Sequence, residues 1–529
     1  MHSIEDVDQL TKVDANKILN LLSISQLREI ATMFKQNSTS CTRKQDLIAY
    51  ISSFYDDGLC ISTLPSLILK HAGTCIQISS TARALVRRVE RLFFLNEDQD
   101  LTTFLLADLG RIKYPAYQGT AVNPIFSCRR DLLQYEEAVE LELQMEDSLE
   151  QSHIESISKC INAAESWISN TSFGHSSATN SKPCNTFLIC YSPSWYYAKI
   201  LFLGANYMER MHRYKEAINM LKLLISKFLY HSKRGCWMLR LSVDLEHTDC
   251  LDESLSVAEE ALKDPSVRSG AKMALQRRVL RLGKPPRRWK LPGFALSLRR
   301  KIKEVHIQGR PLNCVTGVKN RFYGGNGDQC GVEQLALEFY AGEGGGWDGV
   351  HTESGIWLTV FGLLMWDIIF SDVPDVFHNR FQTAPLDFGT DHFYIARKGA
   401  IEAHLQRIQD GMAEEILVES WQKHLGTACR GVNWERHSIS ELRAAVVCTG
   451  GPCLASLCRH LAEDYKSWSS GMPDLFLWRF HGEYNGEAKL VEVKGPKDSL
   501  SEQQRAWLLL LRDCGFDTEV CKVSAIPKT

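Results

Sequence analysis

Gly471-Met-Pro-Asp474-Leu475-Phe-Leu-Trp478, joined across a short polar stretch to Lys489-Leu-Val-Glu492-Val493-Lys494-Gly495-Pro496, is where the fold becomes readable. The apolar run after Asp474 and the alternating run ending at Lys494 predict strands at Leu475–Trp478 and Lys489–Lys494. Turns built on Gly-Met-Pro and Gly-Pro bracket them. A helix from about Glu502 to Leu511 and a third strand at Glu519–Val523 follow, which makes this end of the chain an α/β core. Alternation sets Glu492 and Lys494 on one face of a strand and Val493 on the other. Two acids and a lysine, Asp474, Glu492 and Lys494, can then converge at one end of a small sheet.

These residue types suit phosphodiester hydrolysis. The reaction needs hard oxygen ligands for Mg2+ or Mn2+, a polarised phosphoryl oxygen and an activated water. Asp474 and Glu492 suit the metal, and the main-chain carbonyl of Val493 can add a donor. Lys494 can orient the water or neutralise charge at phosphorus. The bare pattern Asp…Glu-x-Lys also describes an ordinary hairpin with an ion pair; its setting between two turns and before a capped helix favours the chemical reading. Gln504 has two readings. Ser501-x-x-Gln504 fits a capping box, and the side chain can also point into the metal site.

Working outward, Glu353 precedes an apolar helix predicted at about Ile356–Ile369. It is either a first-turn acid stabilised by the helix dipole or a third metal carboxylate. Gly344-Gly345-Gly346-Trp347-Asp348-Gly349 formally matches G-x-G-x-x-G, but it follows a helical pattern (Val332 to Tyr340) instead of a strand. It is therefore read as a flexible loop, not a dinucleotide fingerprint. Between Arg277 and Lys303 the chain carries a dense run of Arg and Lys with no acid and with Trp289 interleaved. Such a run faces phosphates, or serves as a nuclear-targeting tract or solvated helix end.

From Trp195 to Leu262 the pattern is paired helices. Tyr214-Lys-Glu-Ala217 echoes Leu251-Asp-Glu-Ser254 at close to the tetratricopeptide period of about 34 residues. Thr171 to Asn185 reads as a polar linker. Residues 60–150 read as mostly helical. Residues 1–55 read as short helices on Ile18, Leu19, Leu22, Leu27, Ile30 and Phe34, then Leu47, Ile48 and Ile51. Arg28, Lys35, Arg43 and Lys44 gather near the break at Ser38–Thr42, as a solvated face or as DNA contacts.

With 529 residues, 44% hydrophobic and 23% charged, the chain has the composition of a multidomain globular protein. A net charge of -2 does not advertise a polyanion partner, although local patches decide that. The 17 Cys include no C-x-x-C pair, so they read as reduced thiols of an intracellular protein. The opening Met-His-Ser-Ile-Glu-Asp-Val-Asp has no signal-peptide pattern. The most apolar stretch, Ile356 to Phe370, contains Asp367 and is too short to span a bilayer.

The run from Gly471 through Trp507 resembles the VRR-NUC branch of the PD-(D/E)xK nuclease superfamily. Gly362-Leu-Leu-Met-Trp-Asp-Ile-Ile-Phe370, Val373-Pro-Asp-Val-Phe377 and Gly450-Gly451-Pro452-Cys453 extend the resemblance to the Fanconi-associated nuclease family. The resemblance implies all-α modules followed by an α/β PD-(D/E)xK (VRR-NUC) nuclease core. The expected divisions are a SAP-like DNA-binding module at 1–60, a helical linker region at 61–170, tetratricopeptide-like hairpins at 187–300 and the nuclease domain at 301–529. It implies a 5′-flap endonuclease and 5′→3′ exonuclease, using Mg2+ or Mn2+ in the nucleus on crosslinked or branched DNA, with repair-protein partners and no membrane.

By motif, Asp474, Glu492, Lys494 and Glu353 are carried over as the catalytic set, with Gln504 beside them. The order Thr352-Glu353-Ser354-Gly355 departs from the more usual Gly-Glu-Gly-Ser. A basic pocket for a 5′-phosphate is implied at Arg210, Lys466 and the segment Arg234-Gly-Cys236-Trp237, with Arg234 or Arg240 substituting where Cys236 replaces an arginine. Arg28, Arg43 and Lys44 are the expected DNA contacts of the SAP-like module. The early Cys and His lack the spacing of a ubiquitin-binding zinc finger. The alternatives are a Holliday-junction-type resolving nuclease and a non-catalytic DNA-binding repair scaffold.

Overall fold

The computed structural model describes residues 2–4, 18–33, 44–56, 63–72, 75–77, 79–95, 99–120, 122–171, 186–229, 231–312, 321–325, 327–482 and 484–526. The chain divides into two compact units, Met1–Thr102 and Thr103–Thr529. The first contains β1 (His2–Ile4), α1 (Ile24–Met33), α2 (Lys44–Asp56), α3 (Thr63–Ala72), β2 (Cys75–Gln77) and α4 (Ser80–Phe94). Strands β1 and β2 pair antiparallel. Ile18, Leu19, Leu22, Leu27, Ile30, Leu47 and Ile51 form its core with Ile68, at the apolar spacing the sequence shows. Arg28 is exposed, and Lys44 donates to the Asn20 carbonyl at 2.6 Å. Arg43 lies outside the described residues.

The second unit opens with helices: α5 (Thr102–Asp108), α6 (Arg129–Glu150), α7 (Ile154–Asn170), α8 (Pro193–Arg210), α9 (Tyr214–Lys227), α10 (Arg234–His247), α11 (Leu251–Lys263), α12 (Ser269–Leu282) and the short α13 (Ala295–Leu298). Tyr214 and Leu251, the starts of the two echoing segments, each open a helix. Each follows a turn holding a left-handed residue, His212 or Asp249, both with φ 59°. Ile200, Leu201, Leu221, Leu224, Trp237 and Leu241 are buried between the helices.

The basic run from Arg277 to Lys303 is not the open phosphate-facing patch expected. Arg278 and Arg281 bind Glu246, Arg288 binds Glu259, Arg287 lies 3.3 Å from Asp252, Arg277 binds Glu502, Arg300 binds Asp513 and Lys303 reaches Glu519 at 2.7 Å. The acids come from other elements, so a stretch without acids in sequence is largely neutralised in space. Lys284, Lys290, Arg299 and Lys301 make no ion pair among the described residues.

The remainder is built on a seven-stranded mixed sheet. Its elements are β3 (Lys303–Pro311), β4 (Phe322–Tyr323), β5 (Gln329–Cys330), α14 (Val332–Ala341), β6 (Asp348–His351), α15 (Gly355–Leu364), α16 (Trp366–Ile369), α17 (Asp391–Arg407), α18 (Ala413–His424), α19 (Ile439–Thr449), α20 (Gly451–Glu463), α21 (Tyr465–Trp468), β7 (Leu475–Gly482), β8 (Asn485–Lys494), α22 (Glu502–Asp513) and β9 (Asp517–Ala525). The strand order is β5-β4-β3-β9-β8-β7-β6. Strand β9 lies parallel to both β3 and β8, whereas β7 and β6 are antiparallel. The three predicted strands are present and longer. Strand β3, which begins at Lys303 where the basic run ends, was not predicted, although Val305 and Ile307 alternate with His306 and Gln308. The glycine-rich segment is a turn running into β6, not a free loop.

The apolar helix breaks at Met365 into α15 and α16, and α15 is buried against α18, α19 and the sheet. Trp357 packs edge-on to Phe476 and Phe516, which ties α15 to β7.

Candidate active site

Leu475 pairs with Val491 across β7 and β8, so Asp474, the residue before β7, stands beside Glu492. Asp474 is held from two sides. Its Oδ2 accepts from the Val493 N–H at 2.7 Å. Its carbonyl accepts from the N–H groups of Thr352 and Glu353 at 2.9 and 3.1 Å. Glu492 is 1% exposed. Lys494 Nζ lies 2.8 Å from Glu492 Oε1, yet among the described residues neither carboxylate oxygen has an aligned hydrogen-bond donor.

Burial pushes the Glu492 carboxyl up to about 8, aided by the neighbouring Asp474 charge and opposed by Lys494. Burial also raises Asp474, against the Val493 N–H and the Lys494 charge. A buried Glu492 carboxyl short of donors, beside the half-buried Asp474, is costly to ionise alone. A divalent cation would relieve that cost, and a set of carboxylate and carbonyl oxygens fits a hard ion.

Glu353 is brought to the rim by the turn between β6 and α15. Its carboxylate is 61% exposed and 3.9 Å from His351 Nε2. Among the described residues no three His, Cys, Asp or Glu side chains gather into a ready-made metal cage. Glu353 thus stands beside the buried pair without closing on it. Its φ is 50°, whereas Ser354 has φ -78°. The left-handed residue of this turn is the glutamate itself, so the departure from Gly-Glu-Gly-Ser leaves the turn intact.

Gln504 serves the cap. Its Oε1 accepts from the Ser501 N–H at 3.0 Å, and its own N–H bonds Ser501 Oγ at 3.1 Å. Sequence reading missed Glu333. It lies in the first turn of α14, and its charge raises Asp474. Its only mark in the sequence is its place in the first turn of the helical pattern from Val332 to Tyr340.

Of the expected phosphate contacts, Arg234 and Arg240 are committed elsewhere. Arg234 is 9% exposed. Its Nε binds Asp264 Oδ2 at 2.6 Å, and Nη1 donates to the carbonyls of Ile225 and Phe228. Arg240 forms a two-pronged pair with Glu209. Both sit on α10 facing neighbouring helices, where a cation must be matched by acid. Arg210 is exposed at the end of α8. Cys236 stays a neutral thiol because burial pushes it up.

Lys466 falls in a cluster that the sequence did not show. Burial lowers its ammonium, and Arg268, Lys233 and Arg430 lower it further, against Cys190. Burial depresses His231 to about 3, with Lys233, Lys466 and Arg268 adding to the effect. His231 stacks on Trp195 at 4.3 Å, and Lys466 Nζ lies 6.0 Å from that indole's centroid. Arg268 is held by Asp464 at 2.9 Å and Asp391 at 3.1 Å. Lys233 just before α10, Arg268 just before α12, Lys466 on α21 and Arg430 thus gather in one place, where their charges disfavour a proton on Lys466. Their sequence distances hide it.

A family described as VRR-NUC domain matches residues 408–525. The match begins after Glu333 and Glu353. A second, the Fanconi-associated nuclease 1 TPR domain, matches residues 131–283. Fanconi-associated nuclease 1 homologs of Oryza sativa subsp. japonica and Arabidopsis thaliana are 56% and 55% identical over 526 residues, 99% of this chain and 54% and 58% of theirs. Fanconi-associated nuclease 1 of Homo sapiens is 33% identical over 555 residues, 97% of this chain and 54% of its own. The chain therefore spans about half the length of these curated relatives. The fold is similar to that of paFAN1 in its crystal structure bound to 2nt 5′ flap DNA with gap, at TM-score 0.67 and 21% identity, covering 97% of this chain and 82% of that one. Helical hairpins joined to a sheet that ends in Asp474, Glu492 and Lys494 are thus similar, along nearly every residue of this chain, to the Fanconi-associated nucleases.

Proposed function

We propose that this chain is a metal-dependent, structure-specific DNA nuclease that cuts 5′ flaps and digests DNA from the 5′ end in the repair of interstrand crosslinks, acting in the nucleus. The observation that carries the reading is Glu492, fully buried with no aligned donor among the described residues and flanked by Asp474 and Lys494. Asp474, Glu492 and the carbonyl of Val493 would hold Mg2+ or Mn2+, with Glu353 and Glu333 at the rim. When bound there, the cation supplies Lewis-acid polarisation of the phosphoryl oxygen and a lowered pKa for its water. Lys494 orients the attacking water and offsets charge at phosphorus. The cations around Lys466 hold the 5′-phosphate, while Arg28, Lys44, Arg43 and Arg210 are proposed contacts along the DNA backbone. Among the described residues no helix is long and apolar enough to cross a membrane.

Cleavage of 5′-flap, 3′-flap, nicked and four-way substrates with Mg2+ and Mn2+ tests this. The 5′ flap should be cut fastest. Preferential cutting of the four-way junction would favour a resolving nuclease, and absence of cutting with either metal a scaffold. In the same assay Lys466→Ala should reduce the preference for 5′-phosphorylated over 5′-hydroxyl flaps by about tenfold, since a hydrogen bond to a charged group contributes about 1.5–3 kcal/mol. An unchanged preference would place the phosphate elsewhere.

The raised Glu492 carboxyl sets a pH dependence. An acid raised from 4.5 to about 8 by folding contributes stability that is fully present below 4.5 and lost as pH rises through about 8. Cation binding reverses this by replacing the proton. Mn2+ binding at pH 7 should release on the order of one proton, and its affinity should climb until pH passes Glu492's value. Calorimetry in buffers of different ionisation enthalpy measures the release. Binding without proton release would exclude Glu492 as a ligand.

A further inference from the structure

The turn that carries Glu353 is tied to a histidine from a distant part of the chain. Thr352 is fully buried. Its Oγ1 accepts from the Ile356 N–H at 2.8 Å, which caps α15, and lies 3.0 Å from His437 Nε2. His437 is 2% exposed and sits just before Ser438, the N-cap of α19. Among the described residues its Nδ1 has no hydrogen-bond partner, and Glu441 Oε2 lies 3.8 Å away. With the Thr352 hydroxyl donating to Nε2, the Nδ1–H faces Glu441. The same turn delivers the two N–H groups that hold the Asp474 carbonyl. It also holds Glu353 at its positive φ, a left-handed conformation that persists only where neighbours enforce it.

Resting on the metal-site reading above, we propose that His437 is a positioning residue for the metal site: through Thr352 it fixes the turn that presents Glu353 and clamps the main chain of Asp474. A catalytic Thr352 nucleophile is excluded by its complete burial and by the bond it accepts from Ile356. His437 therefore touches neither cation nor substrate; it acts by restricting the turn.

Mn2+ binding, followed by electron paramagnetic resonance of the free ion, tests this on the full chain without DNA. Groups that orient metal ligands typically change metal affinity or activity by about 10–100-fold when removed. His437→Phe and Thr352→Ala should each raise the Mn2+ dissociation constant about tenfold. They should raise the metal concentration for half-maximal cleavage to match, with DNA affinity in EDTA unchanged. The double variant should be no worse than either single one, because the two act through one bond. His437→Gln, whose amide can meet Thr352, should recover to within about threefold of the parent. Unchanged Mn2+ affinity in both single variants overturns the proposal, as does equal impairment in His437→Gln and His437→Phe, which would mean that only ring volume matters. Thr352→Ala keeps the test open if His437→Phe does not fold. A parent protein that binds no Mn2+ fails the metal-site reading itself, whereas a parent that binds and variants that bind equally fail this inference alone.

Discussion

Asp474→Asn and Lys494→Ala should each slow cleavage on the order of 10³-fold or more while DNA binding in EDTA stays within about twofold. Several kcal/mol of transition-state stabilisation come from a correctly held cation, and each 1.36 kcal/mol is a factor of ten in rate. Asparagine retains an oxygen to accept the 2.7 Å bond from the Val493 N–H, so the junction of β7 and β8 is preserved while a charge is removed. Lys494→Ala acts differently. It removes the cation placed at Glu492, so the buried carboxyl is driven further towards its protonated form. The Lys494 variant should consequently regain part of its deficit at higher pH, and the Asp474 variant should not. Single-turnover cleavage of a 5′ flap measures both, and near-parental rates in either variant would reject the assignment.

Arg234→Ala should destabilise the helical region by about 3–5 kcal/mol without weakening DNA contacts made by the folded protein. Removing one partner of a buried ion pair leaves the other desolvated, which accounts for a loss of this size. Here the change abandons Asp264 together with the carbonyls of Ile225 and Phe228. Asp264 feels burial, which raises it, but the bonds from Ser266 and Arg234 prevail and hold it below its usual value. Without Arg234 that depression should lessen. Urea unfolding followed by helix content, together with DNA affinity below the transition, separates the outcomes. Weaker DNA binding at unchanged stability would restore Arg234 to the phosphate site.

The sequence by itself determined the strands that carry the chemistry and the helix that follows them. Alternation at Lys489–Lys494, the turns around Gly471-Met-Pro and Gly495-Pro, and the Ser501–Gln504 box are local signals. Each depends on residues a few positions apart. The same locality reveals the paired helices and the echo of Tyr214 at Leu251, where the structure starts two of them.

Charge was where the sequence misled, because electrostatics is decided by neighbours in space. The stretch from Arg277 to Lys303 contains no acid, yet Glu246, Glu259, Glu502, Asp513 and Glu519 reach most of its cations. Lys233, Arg268, Arg430 and Lys466 are scattered along the chain, yet they crowd one site. Likewise, Glu333 and His437 were unremarkable in sequence. Only the packing of α14 onto the sheet brought Glu333's charge to bear on Asp474, and only the seating of Thr352 beside the start of α19 gave His437 a partner. The tertiary structure made those choices because burial removes water's screening, so that which group lies next to which sets the energy.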